Sequence, residues 1–217
     1  MAPPKSLSVM QRLLREISWD GPRVKLYRGG GLGRENVLTA EVLQGLDFLP
    51  RAQYLGAVIS NLNGGADSTK RTLVQQIESA SVHLLPPAIP FRPSDKGDHT
   101  QFVNPDGLIE SEGGYALIEA KRIKSSSFQV EQLARECVVT VREARDRAPL
   151  LVLLLGHKPP ITVGRSQRKS IKAAITDQLQ PVLRKVTSPY SLSELESKID
   201  DTVAWITWKE IGRIVSE

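Results

Sequence analysis

The chain has 217 residues, which is enough for one sizeable domain and short for two. Hydrophobic residues make up 40% of the sequence and charged residues 24%, a balance that excludes general disorder. The formal net charge of +5 is compatible with a polyanionic partner, and the single cysteine excludes disulfides within the chain and a cysteine-built zinc site.

The first 80 residues are predicted to be mainly helical. Residues 7 to 18 carry apolar side chains at three- and four-residue steps, as an amphipathic helix does. A second helix is predicted over residues 35 to 47, with Pro50 beyond its end. Residues 52 to 61 and 67 to 80 are predicted as further helices. The glycine-rich segment before the second helix lacks the Gly-Lys-Ser/Thr sequence of a P-loop, so we expect a loop there.

The middle of the chain alternates between strand and helix patterns. After a proline-rich loop at residues 84 to 100, the runs FVNPDGLIES and YALIEAK flank a glycine turn and predict a β-hairpin. Residues 128 to 146 carry one apolar stripe and predict a helix, and the run LLVLLLG predicts a strand buried on both faces. This order predicts an α/β fold with a mixed central β-sheet flanked by helices.

The remaining segments complete the predicted fold. A helix is predicted near residues 166 to 186, then a strand at residues 203 to 208 and a closing helical turn. Trp205 and Trp208 are predicted to pack in the core or on the sheet. The longest apolar run is far shorter than the roughly 20 residues that span a bilayer, and the first residues lack a signal-peptide core. We therefore expect a cytoplasmic protein with no membrane association.

Three polar side chains are predicted to meet at one end of the hairpin. Strand residues alternate between faces, so Glu119 and Lys121 point to one side and Ala120 to the other. A turn at residues 112 to 114 would place Asp106 opposite Glu119, with the side chains about 5 Å apart. Two carboxylates this close repel each other unless a proton or a bound cation neutralises them. Oxygen ligands without His or Cys favour Mg²⁺ or Mn²⁺ over zinc.

These residues carry a resemblance to a known family. Pro105-Asp106 followed by Glu119-Ala120-Lys121 resembles the signature of the PD-(D/E)xK nuclease superfamily, which includes restriction endonucleases and Holliday-junction resolvases. The resemblance implies a restriction-endonuclease-like core. It also implies that Asp106, Glu119 and the carbonyl of Ala120 bind the metal, while Lys121 assists the attacking water. The alternative is that Asp106 lies in a Pro-Asp-Gly turn and that Glu119 and Lys121 form a surface ion pair.

Two flanking features extend the resemblance, which covers residues 35 to 155 in topology. Related nucleases place a glutamine, often with a tyrosine, in the helix after the signature, near the metal or the DNA. The segment QVEQLAREC has Gln132 and Glu136 one turn apart without the tyrosine, and the resemblance implies that Gln132 is a catalytic residue. Many members also supply an acidic residue from the first core helix. Glu35 is the expected residue, with Glu41 and Glu78 as alternates.

Basic residues are concentrated in one segment. Residues 147 to 176 include six basic residues and no acidic one, which predicts a positive surface wherever the segment is exposed. The alternative is a solvated loop and helix face. The predicted nucleic-acid contacts are Arg165, Arg168, Lys169 and Lys172.

Together these features predict a single nuclease-like domain over residues 1 to 217, with an N-terminal helical segment at 1 to 80 and a catalytic core at 81 to 160. The predicted function is a Mg²⁺- or Mn²⁺-dependent deoxyribonuclease, DNA being the substrate that the resemblance favours. The alternative is a catalytically weak or inactive nuclease-fold protein that binds nucleic acid or acts as an assembly subunit. A chain this short has little room for a sequence-reading domain. A homodimer and a nuclease subunit of a larger defence or repair complex are therefore the two expected assemblies.

Overall fold

A computed structural model describes residues 33–91, 101–121, 127–164, 167–186 and 188–216, with side chains from residue 38 onward except that of residue 101. The helix predicted at residues 7 to 18 lies outside the described residues. Seven helices occur in the described part: α1 (Gly33–Phe48), α2 (Leu55–Ser60), α3 (Asp67–Gln75), α4 (Val130–Ala144), α5 (Ile171–Leu183), α6 (Leu192–Thr202) and α7 (Trp208–Ser216). The described strands are β1 (Asn63–Gly64), β2 (Ser81–Leu84), β3 (Ile89–Phe91), β4 (Gln101–Val103), β5 (Gly107–Glu110), β6 (Gly114–Ala120), β7 (Ser127–Phe128), β8 (Ala148–Leu155), β9 (Ile161–Val163), β10 (Gln167–Lys169) and β11 (Val203–Thr207).

Six strands form a mixed central sheet in the order β1-β11-β8-β6-β5-β2. The three middle strands β6, β8 and β11 run parallel, whereas β5, β2 and β1 are antiparallel to their neighbours. Two small sheets, β10-β9-β7 and β3-β4, complete the strand pairing in the described part. The predicted α/β fold with a mixed central sheet flanked by helices is confirmed.

Helices cover both faces of this sheet. Because strand side chains alternate, Tyr115 and Leu117 of β6 point to one face and Ala116 and Ile118 to the other. The first face packs against α4, α5 and α6, and we call it the α4 face. The second packs against α1, α2, α3 and α7, and we call it the α1 face. Each fully buried leucine or isoleucine in these two layers contributes about 1.5–3 kcal/mol through removal of its side chain from water.

The β5-β6 hairpin and the crossover through α4 set the geometry of the site. Strands β5 and β6 pair antiparallel with Gly107 opposite Ile118, and Ser111 N–H donates to Gly114 O (2.9 Å) to close the turn. The predicted hairpin and its turn are confirmed. Helix α4 then returns the chain so that β8 pairs parallel with β6. The first turns of α4 consequently lie near the carboxyl end of β6.

Several element boundaries differ from the sequence-based prediction. The helix predicted at 52 to 61 is observed as α2, which begins at Leu55 after a turn. The helix predicted at 67 to 80 ends earlier, because the chain turns after α3 and pairs β2 with β5. The helix expected near 166 to 186 begins later, because β10 pairs with β9 first. The strand at 203 to 208 is confirmed as β11, although Trp208 already begins α7. Among the helices of the described part, none is long and apolar enough to cross a membrane.

Helix α6 was missed by the sequence analysis. It begins with a capping box, in which Ser191 Oγ accepts from Glu194 N–H (3.3 Å) and the Glu194 carboxylate accepts from Ser191 N–H (2.7 Å). A serine followed three residues later by a glutamate is a recognised signal for a helix start. Leu195 and Ile199 then bury one side of the helix against the α4 face.

Candidate active site

Asp106 lies where β5 begins and is anchored to the end of β6. Its N–H donates to Ile118 O (3.0 Å), and its Oδ2 accepts from Ala120 N–H (2.7 Å). The pairing of Gly107 with Ile118 continues by one residue, so Asp106 and Glu119 lie at neighbouring positions of the hairpin. This agrees with the register expected from the sequence. Ala120, the last residue of β6, is fully buried beside the Asp106 carboxylate.

Glu119 points to the α4 face because it follows Tyr115 and Leu117 at two-residue steps. Its side chain is only 4% exposed. The Oε1 atom accepts from Lys121 Nζ and from Gln132 Nε2, the latter at 3.1 Å. Glu119 and Lys121 therefore share one face, as the strand alternation predicts, and Gln132 of α4 joins them.

Glu136 is a buried acidic residue to which the sequence analysis gave no role of its own. It lies one turn after Gln132 on α4 and is 1% exposed. Its Oε1 accepts from Gln132 Nε2 (2.7 Å), whereas its Oε2 is buried with no hydrogen-bond partner. The four-residue spacing from Gln132 places both on one helix face. The burial of Glu136 arises from packing of α4 on β6, which the spacing alone does not reveal.

Burial governs the protonation of the two glutamates. Desolvation raises the pKa of Glu119 well above its ordinary value, and the neighbouring Glu136 raises it further, whereas Lys121 lowers it. Desolvation also raises the pKa of Glu136, with Lys121 and the hydrogen bond from Gln132 acting in the opposite direction. The negative charge of Asp106 adds to the increase at Glu136. Two coupled buried acids of this kind resist full ionisation unless positive charge is close.

Lys121 brings positive charge to this cluster from a fixed backbone. Its N–H donates to Leu154 O of β8 (2.8 Å), and its carbonyl accepts from Trp208 Nε1 of α7 (2.7 Å). The side chain is 15% exposed, and Nζ lies 5.2 Å from the centroid of the Phe128 ring while contacting Glu119. The ammonium group is thus held beside the acidic pair by Glu119 and by the Phe128 ring.

The donor chemistry of the cluster fits a hard divalent cation. Its oxygens come from carboxylates, and Glu136 Oε2 is an orphaned buried acceptor. Within the described ranges, no group of three or more His, Cys, Asp or Glu side chains is arranged so that it could hold a metal ion. Because Lys121 Nζ and Gln132 Nε2 both contact Glu119 Oε1, binding of an ion would rearrange these side chains.

Three acidic residues are candidates for a further ligand at the cluster: Glu35 and its alternates Glu41 and Glu78. Glu35 lies in α1, and its side chain falls outside the described part of the structure. Glu41 is exposed on the same helix. Glu78 is also exposed, and its Oε1 accepts from Ala52 N–H (2.9 Å). Helix α1 itself packs on the α1 face, opposite the side to which Glu119 points. None of the described contacts joins Glu41 or Glu78 to the cluster, and the roles of Glu35 and of these two alternates stay predictions.

The basic segment is more neutral than its sequence predicts. Arg168 Nη2 donates to Pro160 O (3.1 Å). Acidic residues from outside the segment pair with four of its basic side chains: Arg147 with Glu110, Lys158 with Glu210, Lys169 with Asp177, and Lys172 with Asp200. Arg165 lies outside the described residues. The predicted nucleic-acid contacts stay predictions, on a surface where Lys169 and Lys172 already have carboxylate partners.

Comparison with known proteins identifies no relative of this chain. No family model, no curated protein and no solved structure matches this chain. The function is therefore inferred from the geometry of the cluster at the end of β6 and from the sequence resemblance that its residues carry.

Proposed function

We propose that the protein is a metal-dependent nuclease with a restriction-endonuclease-like core that hydrolyses phosphodiester bonds of DNA. The observation that carries this proposal is the convergence of Asp106, Glu119 and Lys121 at the carboxyl end of β6, where Ala120 N–H links the two strands. In sheets with parallel strands, ligands commonly bind beyond the carboxyl ends of those strands. The cluster lies at that end of the β6-β8 pair.

The residues present would hold Mg²⁺ or Mn²⁺ through Asp106, Glu119 and the carbonyl of Ala120. The ion supplies Lewis-acid polarisation of a phosphodiester oxygen and activation of water. Lys121, held at its backbone by β8 and by Trp208, would orient the attacking water and offset negative charge that develops on the phosphate. The described contacts of Gln132 are with the two glutamates. It acts as a positioning residue, because its amide donates to Glu119 and to Glu136.

Cleavage assays test this proposal directly. The purified protein should nick or degrade plasmid, linear or single-stranded DNA in Mg²⁺ or Mn²⁺ and lose this activity in EDTA. Asp106→Ala, Glu119→Ala and Lys121→Ala should each lower the rate by about 100-fold or more, since each removes charge or water orientation at the reacting phosphate. The matched control is Glu112→Gln, an exposed carboxylate in the turn at the other end of the hairpin.

Circular dichroism should show that every variant folds. Cleavage that persists at the wild-type rate in the three site variants would contradict the proposal, and so would cleavage that ignores EDTA. The absence of cleavage on all DNA forms and on RNA would favour the second candidate below.

The second candidate is a nucleic-acid-binding or assembly subunit that keeps the nuclease fold without efficient catalysis. The contact between Lys121 Nζ and Glu119 favours it, because an internal ammonium offsets part of the negative charge of the acidic pair without any metal. Salt-sensitive DNA binding that EDTA leaves unchanged, together with no cleavage, would support this candidate.

A further inference from the structure

Glu136 occupies a position that is costly for a carboxylate without a further partner. It is 1% exposed among apolar neighbours on α4, and Gln132 satisfies only its Oε1 atom. The Oε2 atom has no hydrogen-bond partner. A buried polar atom that lacks a partner is destabilising, and more so when the group is charged. Such an atom in a native fold is explained by a proton shared with a neighbouring acid, an ordered water or a bound ion.

The surroundings of Glu136 bear on which of these partners completes it. Gln132 Nε2 bridges Glu136 Oε1 and Glu119 Oε1, so the two carboxylates are held side by side. Asp106 is close enough for its charge to act on Glu136. Glu119 and Glu136 can hydrogen-bond each other when one of them holds a proton, which leaves that acid neutral. When all three acids are ionised, a neutral hydrogen-bond donor would satisfy one oxygen and leave their repulsion in place. A divalent cation would satisfy the oxygen and remove the repulsion.

We propose that Glu136, supplied by α4, is a further ligand of the divalent cation at this site. This inference rests on the proposed nuclease function and assigns a residue to the same centre. Helix α1 packs on the opposite face of the sheet, where Leu43 and Leu46 join the core cluster that contains Ile118. Helix α4 packs on the face to which Glu119 points, and it already contacts Glu119 through Gln132.

Metal titration tests the assignment without relying on catalysis. Mn²⁺ is titrated into the wild type, Glu136→Gln and Glu131→Gln by calorimetry, and melting temperatures are recorded with and without the ion. Glu136→Gln keeps the size of the side chain and removes its charge. It should weaken Mn²⁺ binding by at least about 10-fold and reduce the Mn²⁺-induced increase in melting temperature. Its melting temperature in EDTA should equal or exceed that of the wild type, because the like-charge repulsion is gone.

The control residue Glu131 lies on the same helix at the surface, where it pairs with Lys185. Glu131→Gln should bind Mn²⁺ as the wild type does. Wild-type affinity in Glu136→Gln would overturn this inference and leave the nuclease proposal intact. No Mn²⁺ binding by the wild type at millimolar concentration would overturn both.

A second variant keeps the test decisive if Glu136→Gln does not fold. Glu136→Asp retains the charge and withdraws the carboxylate by one methylene, so it should also weaken Mn²⁺ binding. Unchanged affinity in a folded Glu136→Asp variant would count against direct coordination by Glu136.

Discussion

The carboxyl groups of Glu119 and Glu136 share the buried space between β6 and α4, and a single amide, that of Gln132, donates to both. Burial of two acids in contact is unfavourable for stability, because each pays a desolvation cost and repels the other when ionised. Active sites tolerate this cost where the groups are needed for chemistry, and strongly shifted pKa values inside a cluster are a recognised mark of such sites. Lys121 offsets part of the cost through its contact with Glu119.

The first prediction concerns pH and stability without metal. Burial raises the pKa of Glu136 from 4.5 to about 7 and that of Glu119 in the same direction. Between the unfolded and folded pKa values, the folded state holds protons that the unfolded chain releases, so the free energy of unfolding falls as pH rises. Urea unfolding in EDTA at about pH 5 and at about pH 8 measures this change. Between these pH values the free energy of unfolding should fall more for the wild type than for Glu136→Gln. Equal losses in the two proteins would contradict the assignment of this titration to Glu136.

The second prediction concerns Gln132 as a positioning residue. Gln132→Ala removes the donor shared by Glu119 Oε1 and Glu136 Oε1 and should lower the free energy of unfolding by about 1–3 kcal/mol. It should also weaken Mn²⁺ binding by about 10- to 100-fold, as loss of an orienting partner does. The control is Gln129→Ala, since Gln129 is exposed and its side chain makes no capping hydrogen bond. A Gln132→Ala protein with wild-type affinity for Mn²⁺ would limit this residue to a structural role.

At the scale of elements, the β5-β6 turn is held against α3, and this contact fixes the register that aligns Asp106 with Glu119. Gly113 N–H donates to Gln76 Oε1 (2.9 Å), just after the end of α3. Gly114 lies so close to the helix that a Cβ atom there would lie 2.5 Å from Leu73 Cδ2 and 2.8 Å from its Cγ. Only glycine fits this approach without displacing a fully buried leucine.

The third prediction follows from this contact. Gly114→Ala should lower the free energy of unfolding by about 1–3 kcal/mol through overpacking, as measured by denaturant titration. The double variant Gly114→Ala/Leu73→Ala should be less destabilised than the sum of the two single variants, because the smaller side chain leaves room for the new methyl group. If the loss of stability in the double variant equals the sum of the two single losses, the contact with Leu73 does not cause the destabilisation by Gly114→Ala.

The elements that carry the site were predictable because their signals are local. Alternation around a glycine turn predicts β5 and β6, and the apolar stripe predicts α4. Helix α6 was missed although its Ser191 and Glu194 capping pair is visible in the sequence. The pairing of β10 with β9 was not predictable, because it depends on a partner outside the segment.

The same division applies to the site residues. The register of Asp106 and Glu119 follows from the hairpin alone, and two-residue alternation places Lys121 with Glu119. The position of Glu136 follows from the packing of a helix on a sheet, which is a long-range contact. The sequence alone does not show this contact, so it does not predict that Glu136 is buried at the site. The prediction of a further acidic residue from α1 rested on the family resemblance only.

At the scale of the whole molecule, ion pairs redistribute the charge that the sequence concentrates between residues 147 and 176. Lys172 lies 2.5 Å from Asp200 at the end of α6, and both side chains are more than half exposed. Exposed pairs of this kind add at most about 1 kcal/mol to stability. Their larger effect is on any polyanion, because each carboxylate competes with phosphate for the same ammonium group.

The fourth prediction tests whether DNA binds on this surface. Asp200→Asn leaves Lys172 without its carboxylate partner, so DNA affinity at low salt should rise and the dependence of affinity on salt should become steeper by about one phosphate contact. Glu112→Gln makes the same change in net charge at the hairpin turn. Equal effects of the two variants would indicate a response to net charge alone and would remove this surface from the DNA-binding site.

The central claim is that the acidic side chains at the carboxyl end of β6 bind one divalent cation. Anomalous diffraction from a crystal soaked in Mn²⁺ tests it most directly, because the scattering peak locates the ion without any assumption about activity. The account predicts a single strong peak about 2 Å from carboxylate oxygens of Asp106, Glu119 and Glu136, with Lys121 Nζ displaced from Glu119. A crystal in which Lys121 keeps its contact with Glu119 and no peak lies between β6 and α4 would contradict it.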